Sequence, residues 1–278
     1  MVSRRQTRGS RRENATIQPA YFQTGLATSG EGGPVLAGIG ISQRFGGLAA
    51  LTNVSVDVSA GEIVGLIGPN GAGKTTLFNT ISGLIPPTAG RVQLDGRDIT
   101  GLPAHGIARL GVGRTFQSPR LFPYLTIFQH VLLAARFRPR SPASLRTTAG
   151  DEAEAMRALE MVRLEHRAEF PATREPTGRR KLVELAMVLA ARPRVLLLDE
   201  PMAGLNPGEV QFAMRLIRRI RDERGAAVLW IEHVMKAVMG VADRVVVLHH
   251  GEKIAEGPPA AVAADARVLD AYLGERVA

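Results

Sequence analysis

The 278 residues include no cysteine. That excludes disulfides and thiolate metal sites and is compatible with a reducing compartment. No stretch reaches the roughly 18 apolar residues that span a bilayer, so any membrane role is expected to run through partners. The arginine-rich start is not followed by an apolar run, and so does not read as a signal peptide. Internal repeats and long low-complexity segments are also missing. What remains is a composition of 45% hydrophobic and 22% charged residues, that of an ordinary globular chain long enough to bury a core without staples.

Net charge is +9, from 35 basic and 26 acidic residues. Residues 1–34 hold five arginines (Arg4, Arg5, Arg8, Arg11, Arg12) and two glutamates, so +3 sits there and +6 elsewhere. The segment lacks periodicity and ends in the Gly-rich Ser29–Pro34. It reads as a disordered, solvated basic leader in preference to an arm for nucleic acid or anionic lipid.

From Val35 the pattern changes. Val35–Ser42, Val54–Val58 and Arg91–Leu94 predict strands of an antiparallel layer. Glu62–Ile67 is a short apolar run before a Gly-rich turn, and Lys74–Leu84 has helical spacing. Strand, glycine turn and helix in that order begin an α/β unit. Val195–Leu198, Ala227–Ile231 and Arg244–Leu248 predict buried parallel strands, with helices over Leu182–Ala191 and Glu209–Arg224 between them. Between about Tyr124 and Arg174 no strand pattern occurs. Ile127–Arg136 and Glu152–Leu164 predict helices, separated by the Pro/Ser/Arg-rich Arg138–Thr148. The middle is therefore a helical insertion in an α/β core.

Gly68-Pro69-Asn70-Gly71-Ala72-Gly73-Lys74-Thr75 fits G-x-x-x-x-G-K-[ST] in full. Glycines let main-chain N–H groups converge on phosphate oxygens with no side chain in the way. The next helix aims its unpaired donors and partial positive charge at the same anion. Lys74 supplies a point charge for the β and γ phosphates of ATP, Thr75 a hydroxyl for Mg²⁺, and Thr76 a contact to the α phosphate. A chance glycine turn would lack the flanking strand and helix.

Val195-Leu196-Leu197-Leu198-Asp199-Glu200 is an apolar strand ending in two acids, and the carboxyl end of a parallel sheet is where such folds bind ligands. Asp199 suits Mg²⁺ through its water shell. Glu200 suits the orientation or deprotonation of an attacking water. Alone, such a pair is as readily a helix cap or a solvent pair; the phosphate loop tips the reading to chemistry.

With these residues in place, the chain from Val35 to Glu275 resembles the ATP-binding subunits of ABC transporters. Gly68–Thr76 resembles Walker A and Val195–Glu200 Walker B. Gln117 in Arg114-Thr115-Phe116-Gln117 matches the Q-loop, Ala203-Gly204-Leu205-Asn206 a D-loop, and His233 in Trp230-Ile231-Glu232-His233 the switch histidine. Within that family it is similar to the LivG-like branched-chain amino acid group, through Arg44–Leu48, Arg114–Gln117, Ala203–Pro207, Met239–Arg244 and Ala271–Glu275.

The resemblance implies a RecA-like core, an antiparallel β layer and a helical subdomain at about 118–180, within an ATPase domain spanning 35–278. It implies that Phe45 stacks on adenine, that Gln117 contacts Mg²⁺ and the attacking water, and that His233 bonds the γ-phosphate. Trp230 reads as core. Leu121, Phe122 and Ile127 read either as lining a groove for a permease helix or as plain core. The implied partners are a second ABC ATPase subunit, two integral membrane permeases and, indirectly, an extracytoplasmic substrate-binding protein. The implied place is the cytoplasmic face of the inner membrane, as a peripheral subunit. Uptake of branched-chain or related amino acids is expected. Rival readings are other cargo (urea, lipopolysaccharide), a regulatory subunit that does not hydrolyse, and an ABC ATPase acting on nucleic acid. Against the last, the chain has no long coiled coil, cysteine set or second cassette.

One motif departs from the family. Its Leu-Ser-x-Gly-Gln signature is replaced by Glu175-Pro176-Thr177-Gly178-Arg179. Pro176 has neither the serine hydroxyl nor a main-chain N–H. In the family this loop completes the partner's ATP site. Either Arg179 and Arg180 replace the lost donors by charge, or the site this loop serves hydrolyses weakly. The proline favours the second, and with it an asymmetric heterodimer.

Overall fold

The computed structural model describes residues 33–137 and 146–273. Most of the expected leader 1–34 and much of the break Arg138–Thr148 lie outside the described residues.

Two sheets form the frame. The first is antiparallel, in the order β2 (Leu48–Val58), β1 (Leu36–Phe45), β4 (Ala89–Leu94), β5 (Arg97–Asp98). The second runs β10 (Glu252–Gly257), β9 (Arg244–His249), β3 (Ile63–Ile67), β8 (Ala227–Ile231), β7 (Val195–Asp199), β6 (Val112–Arg114). Its strands are parallel from β9 to β6, and only β10 is antiparallel. The helices are α1 (Lys74–Ile81), α2 (Ala104–Arg109), α3 (Ile127–Ala135), α4 (Ala149–Met161), α5 (Thr177–Ala190), α6 (Pro207–Arg224), α7 (Met235–Val241), α8 (Pro259–Ala263) and α9 (Ala266–Leu273). This is the α/β class that the sequence predicts.

The continuous apolar runs of the parallel strands follow from burial on both faces. Side chains alternate along each strand, so Ile63 and Ile67 join one core and Val64 and Leu66 the other. The same split sends Leu196 and Leu198 to the first core and Val195 and Leu197 to the second. The first core packs against α3 to α6; the second lies toward α1 and the antiparallel sheet. Each fully buried Leu or Ile contributes about 1.5–3 kcal/mol. Trp230 is fully buried in the first core, as expected.

The structure shifts several expected boundaries. The expected helix Lys74–Leu84 stops at Ile81. Gly83 beyond it takes φ 72°, and a Cβ there would meet Leu102 O at 2.4 Å. The strands Val35–Ser42 and Val54–Val58 extend toward one another and meet where Phe45 pairs with Leu48, across the two-residue turn Gly46-Gly47. The expected Leu182–Ala191 helix begins five residues earlier, at Thr177, because its first turn is polar and carries no apolar stripe. β5, β6, β10, α2, α7, α8 and α9 are elements that the sequence pattern does not predict.

Candidate active site

β3 delivers the glycine loop and α1 follows it. Gly68 has φ 149°, and a Cβ there would stand 2.1 Å from Leu248 O. Gly73 has φ 100°, and a Cβ there would stand 2.7 Å from Ala50 O. Both positions therefore require glycine. Gly73 caps α1 with no side-chain hydrogen bond, and the first turn carries no acid. The helix start thus keeps its donors and its positive end for an anion. Lys74, 6% exposed, curls back into the loop: its Nζ donates to Gly68 O at 2.6 Å and to Pro69 O at 2.7 Å.

β7 ends at Asp199, and the chain then turns sharply. Glu200 has φ 47°, a conformation that costs a non-glycine residue about 1–2 kcal/mol. That turn points its carboxylate away from the strand. Glu200 Oε2 accepts from Gln117 Nε2 at 3.2 Å, and Oε1 lies 2.5 Å from His233 Nε2. Gln117 arrives from β6, and His233 follows β8. Three strand ends thus bring together the three residues expected to act on water.

These groups share one cleft of about 630 Å³. Its walls include Phe45, Asn70 to Thr76, Gln117, Glu200 and His233. Phe45, half exposed at the tip of the β1–β2 hairpin, lies at this cleft with Leu48. Gly68, Pro69 and Asp199 stand behind its wall: the first two act through carbonyls on Lys74, and Asp199 is 3% exposed. Asp199 Oδ2 accepts from Arg114 Nη2 at 3.2 Å, and Arg114 Nη1 donates to Ser82 Oγ at 2.6 Å. Burial raises the Asp199 carboxyl above the ordinary carboxylate range, and Arg114 partly offsets this. Asp199, expected to reach a metal's water shell, is buried in this structure and paired with Arg114. The oxygens at the cleft itself that suit Mg²⁺ are Thr75 Oγ1 and the Gln117 amide. Among the described residues no group of three or more acidic or histidine side chains forms a metal cage.

A strand, a glycine loop and a lysine sharing a cleft with a glutamate at the end of β7, two strands away, make a nucleoside triphosphate site in which water can be directed at the terminal phosphate. Comparison with known proteins agrees. The family model described as ABC transporter matches residues 51–203, and one described as branched-chain amino acid ATP-binding cassette transporter matches residues 252–278.

The chain belongs to the ABC transporter family of ATP-binding cassettes.

This ABC ATPase is 41% identical over 251 residues to the high-affinity branched-chain amino acid transport ATP-binding protein BraF of Pseudomonas aeruginosa, covering 87% of this chain and 98% of that protein. It is equally similar to LivG of Salmonella typhimurium, of the same description. Its similarity to the lipopolysaccharide export ATP-binding protein LptB of Escherichia coli is lower, at 35% over 235 residues, or 84% of this chain and 95% of that one. Among solved structures, an ATP-binding cassette of an ABC transporter in its ADP conformation superposes with a TM-score of 0.78 at 30% identity, covering 87% of this chain and all of that one. As a member of this family the chain binds and hydrolyses ATP. No described helix is long and apolar enough to cross a membrane.

In the departing signature, α5 begins at Thr177 with Pro176 as its cap, and no side chain satisfies the first-turn donors. Arg179 Nη1 donates to the buried Glu175 at 3.2 Å, and Arg167 binds the same carboxylate. Arg180 donates to Glu175 O at 2.6 Å and to Thr173 O at 2.5 Å. Both arginines are thus engaged within their own loop, which weakens the reading in which they substitute for the missing phosphate donors.

Of the three candidates for a permease groove, Ile127 is fully buried in the first core, Leu121 packs on that core, and only Phe122 is exposed. Ile127 is therefore core. Sequence reading also passed over Lys181, Glu184 and Glu232, all buried beneath the cleft. A charged residue in a helix pattern normally marks the solvent face, so nothing local set Lys181 and Glu184 apart; Glu232 directly follows β8, and only the packing around the strand end buries it.

Proposed function

We propose that this ABC ATPase energises uptake of branched-chain amino acids through membrane permeases, by closing on MgATP against a second ATPase subunit. The observation that carries the chemistry is the Glu200 carboxylate held between Gln117 and His233 across the cleft from Lys74. Glu200 acts as the base or orienting group for water, and Gln117 and His233 fix its two oxygens. Asn70 to Gly73 offer main-chain donors to the phosphates, Lys74 a charge, and Phe45 an aromatic face to the base. Thr75 and Gln117, with Asp199 behind them, would hold Mg²⁺, which neutralises phosphate charge when bound. The similarity to BraF and LivG supports the cargo.

The ATPase domain spans 35–278, with a helical subdomain at about 118–180 that contacts the permeases at the cytoplasmic face of the membrane. ATP contacts both subunits only in the closed dimer, so binding favours closure and hydrolysis releases it. The capless, proline-led start of α5 supports a heterodimer in which the site served by this chain's signature is weak and the site built on Lys74 and Glu200 is strong.

The test is Mg²⁺-dependent ATP turnover by the chain alone and with its mate, together with branched-chain amino acid uptake by the assembled transporter. Uptake lost on Lys74→Ala is the expected result. Full turnover by a homodimer would defeat the asymmetry, and ATP-driven movement of another cargo alone would defeat the assignment of substrate.

A further inference from the structure

Helix α5 carries two charged side chains into the protein interior. Lys181 is 7% exposed and Glu184 8%. Three residues apart, they lie on one helix face. Lys181 Nζ donates to Glu200 O at 2.6 Å. Glu184 Oε1 accepts from Phe116 N at 3.1 Å. Each bond therefore grips the main chain of one segment that brings a polar group to the cleft, Glu200 in the first case and the residue before Gln117 in the second.

Glu200 has need of such a grip. It holds φ 47°, where a side chain is strained. Its N–H donates to Ile231 O at 3.0 Å, and its C=O accepts from Ala203 N at 3.3 Å as well as, at the shorter distance, from Lys181 Nζ. Burial lowers the Lys181 ammonium from its ordinary range, and the field of Glu232, Glu200, Glu184 and Asp199 partly offsets this, while its hydrogen bond goes to a carbonyl. Glu232 in turn accepts from Met202 N at 3.2 Å and His233 N at 2.9 Å. The segments on either side of the Glu200 carboxylate are thus tied to buried polar side chains behind it.

We propose that Lys181 is a positioning residue for ATP hydrolysis: it holds the Glu200 main chain in the left-handed turn that places its carboxylate between Gln117 and His233. The proposal rests on Glu200 acting on the attacking water. A lysine suits the task because a compact ammonium can reach a carbonyl in a confined space and is strongly held there by surrounding carboxylates. An error in the turn moves the carboxylate off the line of attack without touching the phosphate loop.

The experiment compares full-length Lys181→Met, Lys181→Arg and Glu200→Gln with the parent, reading ATP affinity and single-turnover hydrolysis separately. In Lys181→Met, ATP affinity is expected to stay within about three-fold while the hydrolysis rate falls about 10- to 100-fold. Lys181→Arg, which keeps a cationic donor, is expected to recover most of that rate. A Lys181→Met rate within about two-fold of the parent overturns the proposal, as does a fall in affinity that accounts for the whole loss. If Lys181→Met does not fold, Lys181→Gln is read by the same two criteria. Parental turnover in Glu200→Gln overturns the reading of Glu200 and the proposal with it. Loss of turnover there, beside a parental rate in Lys181→Met, overturns the proposal alone.

Discussion

His233 Nε2 and Glu200 Oε1 lie 2.5 Å apart, although 33 residues separate them in the chain. Parallel pairing of β7 with β8 brings the two together, because Asp199 lies opposite Ile231 in the register. With Gln117 on its other oxygen, Glu200 cannot swing freely in the cleft. Glu200→Gln keeps the size of the side chain and removes the base. Turnover is expected to fall about 10²- to 10⁴-fold while MgATP stays bound, as measured by nucleotide retained on the protein after gel filtration.

Phe45 is placed by the hairpin turn at Gly46-Gly47, at the rim of the cleft, and carries no group that handles phosphate or water. Phe45→Ala is expected to weaken ATP binding about five-fold. The rate at saturating ATP should not change, since the loss is of uniform binding. Steady-state kinetics separates the two.

Gly68 has no room for a methyl group: the nearest atom to an added Cβ is main-chain oxygen at 2.1 Å, which cannot rotate away. Gly68→Ala is expected to cost more than about 2 kcal/mol in denaturant unfolding and to abolish ATP binding. Gly71→Ala is milder. Nothing lies within 4 Å of a Cβ there, and only the strain of φ 75° remains.

Glu184 is pushed up to about 7 by burial, against the Phe116 N–H and the Lys181 charge, which favour the ionised form. The fold therefore favours the neutral carboxyl. That contribution is complete below pH 4.5 and is lost as pH rises through about 7. Glu184→Gln stays neutral throughout and still offers Phe116 N an acceptor. From pH 5 to pH 8 the parent should lose roughly 2.5 kcal/mol relative to this variant, read as the difference between their urea midpoints at each pH.

Ile127 and Phe122 stand close in the chain and apart in exposure. Ile127→Ala is expected to cost about 2–5 kcal/mol of stability. Phe122→Ala should stay within about 1 kcal/mol, leave the ATPase of the isolated chain intact and lower transport. Unfolding curves and uptake assays distinguish these outcomes.

Most of the site was legible because its parts are local. A glycine loop between strand and helix declares its own backbone geometry, so Gly68 to Thr76 could be assigned from spacing alone. Asp199 and Glu200 were visible as acids closing an apolar strand. β10 was not, since Glu252–Gly257 holds three charged residues and becomes a strand only by pairing with β9. Lys181 and Glu184 resembled the solvent face of a helix, and their burial depends on what packs over them.

The sequence by itself determined the class of fold, the phosphate loop and the acids at the strand tip, since each is written within a dozen residues and enforced by local sterics and apolar periodicity. Only the tertiary structure decided which charges are buried beneath the cleft, that Asp199 faces Arg114 across 85 residues of chain, and that Ile127 is core. Those outcomes depend on strand order and on which helix covers which face, and the free energy that sets them comes from contacts between segments that no local pattern records.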